Sequence, residues 1–382
     1  MIRGAQFFCF GTSNRNLDFF CEMRLDRVAK EMRKASDRAL LNGLRVLKGP
    51  KKPGGVVVFS IMKNEMYFLR AFLAYYRSLG VDHFLILDDQ SGDGTLEFLL
   101  EQGDVTVLQS EYAYGEVYER RARLPWRSHQ MRAGIRLKAL IPNAFLSGKW
   151  CLYADADEFL ILPPTVKKIG EFLDTVNRHG ISVIPASVVE FYPAEYTNIA
   201  GEHTTVNSFD DLLIVSPFFD AVSLLELDSN GTVVRQKPSA SGRLFSLYGV
   251  HFGGDHETHV RAEALDRSNA KQLAIGSAIH KIPLISPSST VRLKSGHRAN
   301  IPFSDQVLLS VAHFKFTPDV LRRRDEAVRT QAWSQSSAKY SKYDELFRKM
   351  AEGDGSFLGP DSTRYHAPNQ LSDCGNLWTR LG

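Results

Sequence analysis

Trp150-Cys151-Leu152-Tyr153-Ala154-Asp155-Ala156-Asp157-Glu158-Phe159 is the stretch whose reading decides the fold. Its first five residues form a hydrophobic run, as in a strand buried on both faces within a parallel sheet covered by helices. The run stops abruptly at three acids. Carboxylates so close repel one another and resist desolvation unless a cation joins them. Side chains alternate along extended backbone, so Asp155 and Asp157 point the same way and can share one ion. Hard divalent cations such as Mg²⁺ or Mn²⁺ take oxygen ligands of this kind and complete their shell with substrate phosphates. A solvated acidic loop after a strand is the alternative for an isolated Asp-x-Asp.

A second acid-tipped strand weighs against that alternative. Phe84-Leu85-Ile86-Leu87 runs into Asp88-Asp89-Gln90-Ser91-Gly92-Asp93-Gly94-Thr95, turn chemistry that opens a helix with Asp93 or Thr95 as N-cap. Upstream, Gly55-Val56-Val57-Val58-Phe59-Ser60-Ile61 precedes Lys63-Asn64-Glu65. A helix follows, with Leu69, Phe72, Leu73, Tyr76 and Leu79 at the spacing of a sheet-facing stripe and Gly80 as its stop. Val105-Thr106-Val107-Leu108 supplies the next strand. This β-α-β-α-β order predicts an α/β fold with a doubly wound, mostly parallel, Rossmann-like sheet and helices on both faces. Ligands of such sheets bind beyond the carboxyl ends of the strands, so the acid-tipped ends face one crevice.

These residues resemble a known family. Ile61-Met62-Lys63-Asn64-Glu65, Leu79-Gly80-Val81-Asp82, Asp88 to Thr95 and Tyr153-Ala154-Asp155-Ala156-Asp157-Glu158-Phe159-Leu160 are similar to bacterial family 2-like glycosyltransferases of the GT-A fold, in the branch with a KNE first loop and a DADEF metal motif. Ser241-Gly242-Arg243-Leu244-Phe245, Lys281-Ile282-Pro283-Leu284, Ser295-Gly296-His297 and Ala312-His313-Phe314-Lys315-Phe316 fit the same branch, so the resemblance spans roughly residues 54–345. It implies an inverting hexosyltransferase-type enzyme that uses a nucleotide-sugar donor, a UDP-sugar by preference, with Mn²⁺ or Mg²⁺ and a carbohydrate or lipid-linked acceptor.

The chemistry sets further requirements. Breaking a sugar–phosphate bond leaves a diphosphate whose growing charge a metal stabilises. Asp155 and Asp157 are the expected anchors, and His297, in the Ser-Gly-His loop, is the first choice for completing the shell, with His313 second. Asn64, Glu65, Asp89 and Asp93 sit at adjacent strand ends and are expected to line the nucleoside pocket, with Asp155 shared between donor and metal. Arg243 and Lys281 are candidate phosphate contacts, or ordinary surface charges. A general base must deprotonate the acceptor hydroxyl. Asp220 is the candidate taken forward, with Glu190, Asp255 and Glu257 as the others. Two further readings stay open. A nucleotidyltransferase would share the sheet and acids but add a Gly-rich phosphate loop, where this chain has Lys63-Asn64-Glu65-Met66. A non-catalytic nucleotide-sugar-binding protein would look the same in sequence.

Composition fits and bounds these readings. The 382 residues are 43% hydrophobic with a formal net charge of +4, too little to predict a nucleic-acid partner. Cys9, Cys21, Cys151 and Cys374 form no CxxC pair, which favours a reducing, cytoplasmic setting. No run is long enough for a spanning helix. Met23 to about Leu47 reads as a basic amphipathic helix, which predicts either peripheral contact with the inner membrane face or docking on the chain's own catalytic domain. His251 to His259 holds three histidines and two acids and reads as a polar loop or a metal site; Asn230-Gly231-Thr232 is a glycosylation sequon. The expected organisation is an N-terminal helical extension over 1–53, a nucleotide-sugar-binding half over 54–180 and an acceptor half over 181–345. The last carries an insertion around 200–275 and is followed by a weakly ordered tail over 346–382.

Overall fold

The computed structural model describes residues 34–49, 55–122, 128–200, 205–229, 231–235, 237–250, 278–330 and 338–381. The basic segment before residue 34, Cys9, Cys21, Asn230 of the sequon and the histidine-rich stretch with Asp255 and Glu257 lie outside them. The main sheet has ten strands. They are β1 (Leu44–Lys48), β2 (Val56–Met62), β3 (His83–Asp88), β4 (Val105–Ser110), β5 (Trp150–Tyr153), β6 (Glu158–Ile161), β7 (Val183–Glu190), β8 (His280–Ile285), β9 (Val307–His313) and β10 (Trp378–Thr379). Across the sheet the order is β1-β4-β3-β2-β5-β8-β7-β9-β10, with β6 also beside β9. β4, β3, β2 and β5 are parallel. β8 reverses between β5 and β7, and β9 runs parallel to β7. Six strands therefore share one direction, and β1, β6, β8 and β10 oppose them.

The main helices are α1 (Ala35–Asn42), α2 (Met66–Ser78), α3 (Thr95–Glu101), α4 (Ala133–Phe145), α5 (Ile169–Arg178), α6 (Ala240–Leu247), α7 (Asp319–Thr330) and α8 (Ala338–Glu352). Alternation along the buried strands sorts side chains to the two faces. Val56, Val58, Phe84 and Ile86 pack with Phe68, Phe72 and Tyr76 of α2 and Phe172 of α5. Val57, Phe59, Leu85 and Leu87 pack with Leu40 and Leu41 of α1 and Leu137, Leu140 and Ile141 of α4. The sheet is thus doubly wound, with helices on both faces, as its continuous hydrophobic strands predict. Each such Leu or Phe side chain, removed from water, contributes about 2 kcal/mol. A third cluster, with Tyr192, Phe245, Phe316, Tyr343, Phe347 and Phe357, joins α6 and α8 to the C-terminal part.

Two expectations are corrected. The helix read from Met23 to about Leu47 ends at Asn42 within the described residues, and Leu44–Lys48 pairs antiparallel with β4. Gly43 ends the helix, and the next residues supply a hydrogen-bonded edge that helix periodicity does not reveal. The stretch after Met350 is built into the fold and not weakly ordered. Phe357, Tyr365, Leu371 and Leu377 are buried, Ser362–Arg364 pairs with Phe218–Asp220, and β10 extends β9. Asn376 is fully buried, accepting from Ser187 Oγ and Ser310 Oγ at 2.7 Å each. The Gly, Ser and Pro residues there make turns, and a few well-spaced apolar side chains hold the segment. Among the described residues, no helix is long and apolar enough to cross a membrane.

Candidate active site

Three loops leave the carboxyl ends of neighbouring parallel strands: Lys63-Asn64-Glu65 after β2, Asp89 to Asp93 after β3, and Asp155-Ala156-Asp157 after β5. The first two are laced together. Asn64 takes a positive φ of 55°, a conformation that Asn tolerates better than most residues. There its amide donates to Ser91 Oγ at 3.0 Å, and its Oδ1 accepts from the Gly92 amide at 2.8 Å. Glu65 N donates to Thr95 Oγ1 at 2.9 Å. Asp93 accepts from the amides of Met66 (3.1 Å) and Thr95 (3.0 Å), so it caps helix starts and does not line the cleft. Gly94, with φ of 92°, takes the N-cap position of α3 itself.

The third loop is placed by strand pairing. Glu158 opens β6, which runs antiparallel to β9 with Glu158 opposite His313. This register brings His313 Nε2 within 3.4 Å of Asp157 Oδ2, while His313 Nδ1 is buried with no hydrogen-bond partner among the described residues. Asp155 accepts from Lys138 Nζ (2.9 Å) and Tyr153 Oη (3.0 Å) at Oδ1, and from Lys281 Nζ (3.1 Å) at Oδ2. Lys281 is buried and also pairs with Glu158, whose Oε2 accepts the Asp155 amide at 2.9 Å. Arg323 of α7 reaches in to Asp157 Oδ2 at 2.7 Å and pairs with Glu65.

These neighbours set the ionisation of the acids. Burial opposes charge on Asp155, but Lys138 and Lys281 outweigh it and hold the carboxyl well below the usual range. Burial likewise opposes Asp157, and Arg323 and then His313 hold it low. Glu65 goes the other way: burial pushes it up to about 8 against the pull of Arg323. Burial also raises Asp89, although Lys63 at 3.6 Å and the Tyr114 amide at 2.8 Å favour its charge.

One cleft collects most of this chemistry. Its lining holds the carboxylates of Glu65, Asp89, Asp155, Asp157, Glu158 and Glu326 against the cations of Lys63, Lys138, Lys315 and Arg323. Tyr114, His313 and Tyr343 complete its polar and aromatic walls. Lys138, Tyr114, Lys315, Arg323 and Glu326 escaped sequence reading. The one signal for Arg323 was the Arg322-Arg323-Arg324 run, one helical turn beyond Asp319. Asn64 borders the cleft through its backbone turn without lining it.

Other expected residues lie elsewhere or in other roles. His297 follows Leu293–Ser295 and sets its Nδ1 against the His280 carbonyl oxygen at 2.7 Å, outside the cleft lining. Asp220 and Arg243 are committed to each other, at 2.9 Å (Nε–Oδ2) and 3.0 Å (NH2–Oδ1), with Tyr192 Oη on Asp220 Oδ1 at 2.5 Å. Neither residue lines the cleft. Glu190 is buried beneath Ser241, whose amide and hydroxyl both donate to it.

The donor set suits a hard divalent cation in kind. Asp155 and Asp157 offer oxygens, and Asp157 Oδ1 takes no hydrogen bond among the described residues. Among the described residues, no group of three or more His, Cys, Asp or Glu side chains is placed to hold a metal ion by itself.

The sequence was compared with known proteins. Residues 58–213, less than half of the chain, match the model of glycosyltransferase family 92. No curated protein matches. Among solved structures, the crystal structure of S. aureus TarS is similar at 12% identity and a TM-score of 0.27, covering 78% of this chain and 43% of TarS. That likeness is too distant to carry weight, and the chain spans under half the length of TarS. Residues 58–213 carry all three acid-tipped strand ends, so the family match covers the elements that supply the acid loops of the cleft.

Proposed function

We propose that the protein is a metal-dependent glycosyltransferase of GT-A type, moving a sugar from a nucleotide-sugar donor to an acceptor hydroxyl. The carrying observation is the pair Asp155 and Asp157 at one strand end, both held in the charged form in a cleft where carboxyl side chains outnumber lysine and arginine by six to four. A diphosphate entering that field is repelled unless a cation enters with it. Asp155 and Asp157 would hold the ion, with His313 at the Asp157 side; bound there, it would neutralise charge developing on the leaving diphosphate. Glu65 and Asp89, at adjacent strand ends, suit a ribose and base edge. A UDP-sugar remains the favoured donor, on the resemblance. Lys138 and Lys281 fix the Asp155 carboxylate from two sides, and an ion entering beside it shares its oxygens with them. Lys315 and Tyr343 also line the cleft, with the Lys315 ammonium 4.4 Å from the tyrosine ring centroid. Inversion at the transferred carbon and a base in the acceptor half follow the resemblance.

The test is a thermal-shift screen of UDP-, GDP-, CMP- and dTDP-sugars with and without Mn²⁺. A cognate donor raises the melting temperature only with the ion, and Asp157→Ala abolishes that rise. Equal stabilisation without Mn²⁺, or an unchanged response in Asp157→Ala, refutes the metal reading. Donor hydrolysis by wild type then separates turnover from binding alone.

A further inference from the structure

Arg323 spans the two acid loops from a single helix. Its Nε donates to Asp319 Oδ2 at 2.7 Å, one turn back on α7, and its NH1 donates to Asp157 Oδ2 at 2.7 Å. Its NH2 pairs with Glu65, and its guanidinium lies 4.8 Å from the Phe68 ring centroid. The neighbouring residues repeat the connection. Arg322 NH2 donates to the Asn64 carbonyl oxygen at 2.7 Å, and Asn64 Nδ2 donates to Glu326 Oε1 at 3.2 Å. Asp319, which grips both arginines, is almost wholly buried. A fixed helix therefore projects a planar cation between a carboxylate of the first loop and a carboxylate of the third. A divalent ion held by Asp157 would lie close to that guanidinium. Two cations competing for one carboxylate in a partly desolvated cleft repel each other strongly.

We propose that Arg323 is a positioning residue of the donor site. Its guanidinium holds Glu65 and Asp157 at the spacing of a shared cation while the cleft is empty, and it releases Asp157 when a divalent ion binds. The guanidinium on Asp157 Oδ2 and an ion on the same carboxylate repel each other, so α7 and ion occupancy are coupled. This inference rests on the metal reading of Asp157 given above. It differs from a merely structural role in sign. A residue that only props the loops would weaken ion binding when removed, whereas a competing counter-ion strengthens it.

The experiment measures Mn²⁺ affinity of the full chain by calorimetry, with no nucleotide present. Arg323→Gln is compared with wild type, with Asp157→Asn and with Lys63→Gln, which removes an equal charge from the same cleft beside Asp89. The expected result is a gain of about tenfold or more for Arg323→Gln, the size of effect that 1.4 kcal/mol produces. Lys63→Gln stays within about threefold of wild type, and Asp157→Asn loses binding. Equal gains in Arg323→Gln and Lys63→Gln would show a general field effect and overturn the inference, as would weaker binding by Arg323→Gln. If Arg323→Gln does not fold, Arg323→Lys replaces it, since a point charge cannot bridge both acids as the guanidinium fork does. Intermediate tightening supports competition, and wild-type affinity overturns it. Wild type that binds no Mn²⁺ alone is titrated again with UDP present, and no binding there either overturns the metal reading itself. Wild type that binds through Asp157, with an Arg323 variant of unchanged affinity, overturns this inference alone.

Discussion

Replacing Lys281 by Met tests whether that side chain organises the acid loop or waits for a phosphate. Its ammonium is 3% exposed and sits between Glu158, 8% exposed, and Asp155, 36% exposed. Met matches the aliphatic stem and removes only the charge. Glu158 is then left as a buried carboxylate without its cation. Losing one partner of a buried ion pair costs about 3–5 kcal/mol. Asp155 adds little to that cost, because it is partly solvated and keeps Lys138 at 2.9 Å. The lysine also lies 4.1 Å from the Tyr153 ring centroid, a contact worth about 1 kcal/mol that the variant forfeits. Together these predict a loss of about 4–6 kcal/mol, read from urea unfolding midpoints at constant m value. The double variant Lys281→Met/Glu158→Gln should recover most of it, because Gln removes the orphaned charge and still offers an oxygen to the Asp155 amide. A loss under about 1 kcal/mol in Lys281→Met, with donor affinity falling sharply, would refute this assignment and return Lys281 to the role of a phosphate contact.

Three further outcomes follow from the site. In Glu65, burial raises the folded carboxyl pKa from 4.5 to about 8. The unfolded chain releases this proton first, so stability falls as pH rises between those two values. At ~1.4 kcal/mol per unit the loss is at most about 5 kcal/mol. Glu65→Gln should flatten that part of the curve, and superimposable wild-type and variant profiles across pH would exclude it. His297→Ala should leave Mn²⁺-dependent nucleotide binding unchanged, while His313→Ala weakens it; calorimetry with the reverse ranking would restore the Ser-Gly-His loop to the metal shell. At Gly134 an added Cβ would lie 2.0 Å from Tyr114 Cδ2, and the Tyr114 amide holds Asp89. Gly134→Ala should therefore push the ring aside and reduce donor affinity about tenfold while circular dichroism shows a native fold; unchanged affinity would remove Tyr114 and Asp89 from the donor pocket.

The sequence by itself determined the parallel half of the sheet, because strands buried on both faces must be hydrophobic throughout and can only end where polar groups meet solvent or ligand. Val56–Met62, His83–Asp88 and Trp150–Tyr153 are such strands, and the acids that follow them mark the cleft without any knowledge of packing. Local turn chemistry was equally legible at Gly80 and Gly94, where φ is positive. Partners remote in the chain were not. Nothing near Asp157 in sequence announces Arg323, 166 residues away, and nothing near Asp155 announces Lys281, 126 away. Their assignment required the antiparallel return of β8 and the docking of α7. Arg243 looked like a phosphate ligand for the same reason: an arginine's charge is visible in sequence, but its counter-ion, here Asp220, is not. His297 and His313 carried the same ambiguity, and only the register that sets His313 opposite Glu158 puts it beside Asp157, with His297 outside the cleft lining. Hydrophobic pattern is local and periodic, so one strand at a time reveals it. Ion pairing depends on which distant segments the fold brings within a few ångströms, and only the tertiary structure decides that.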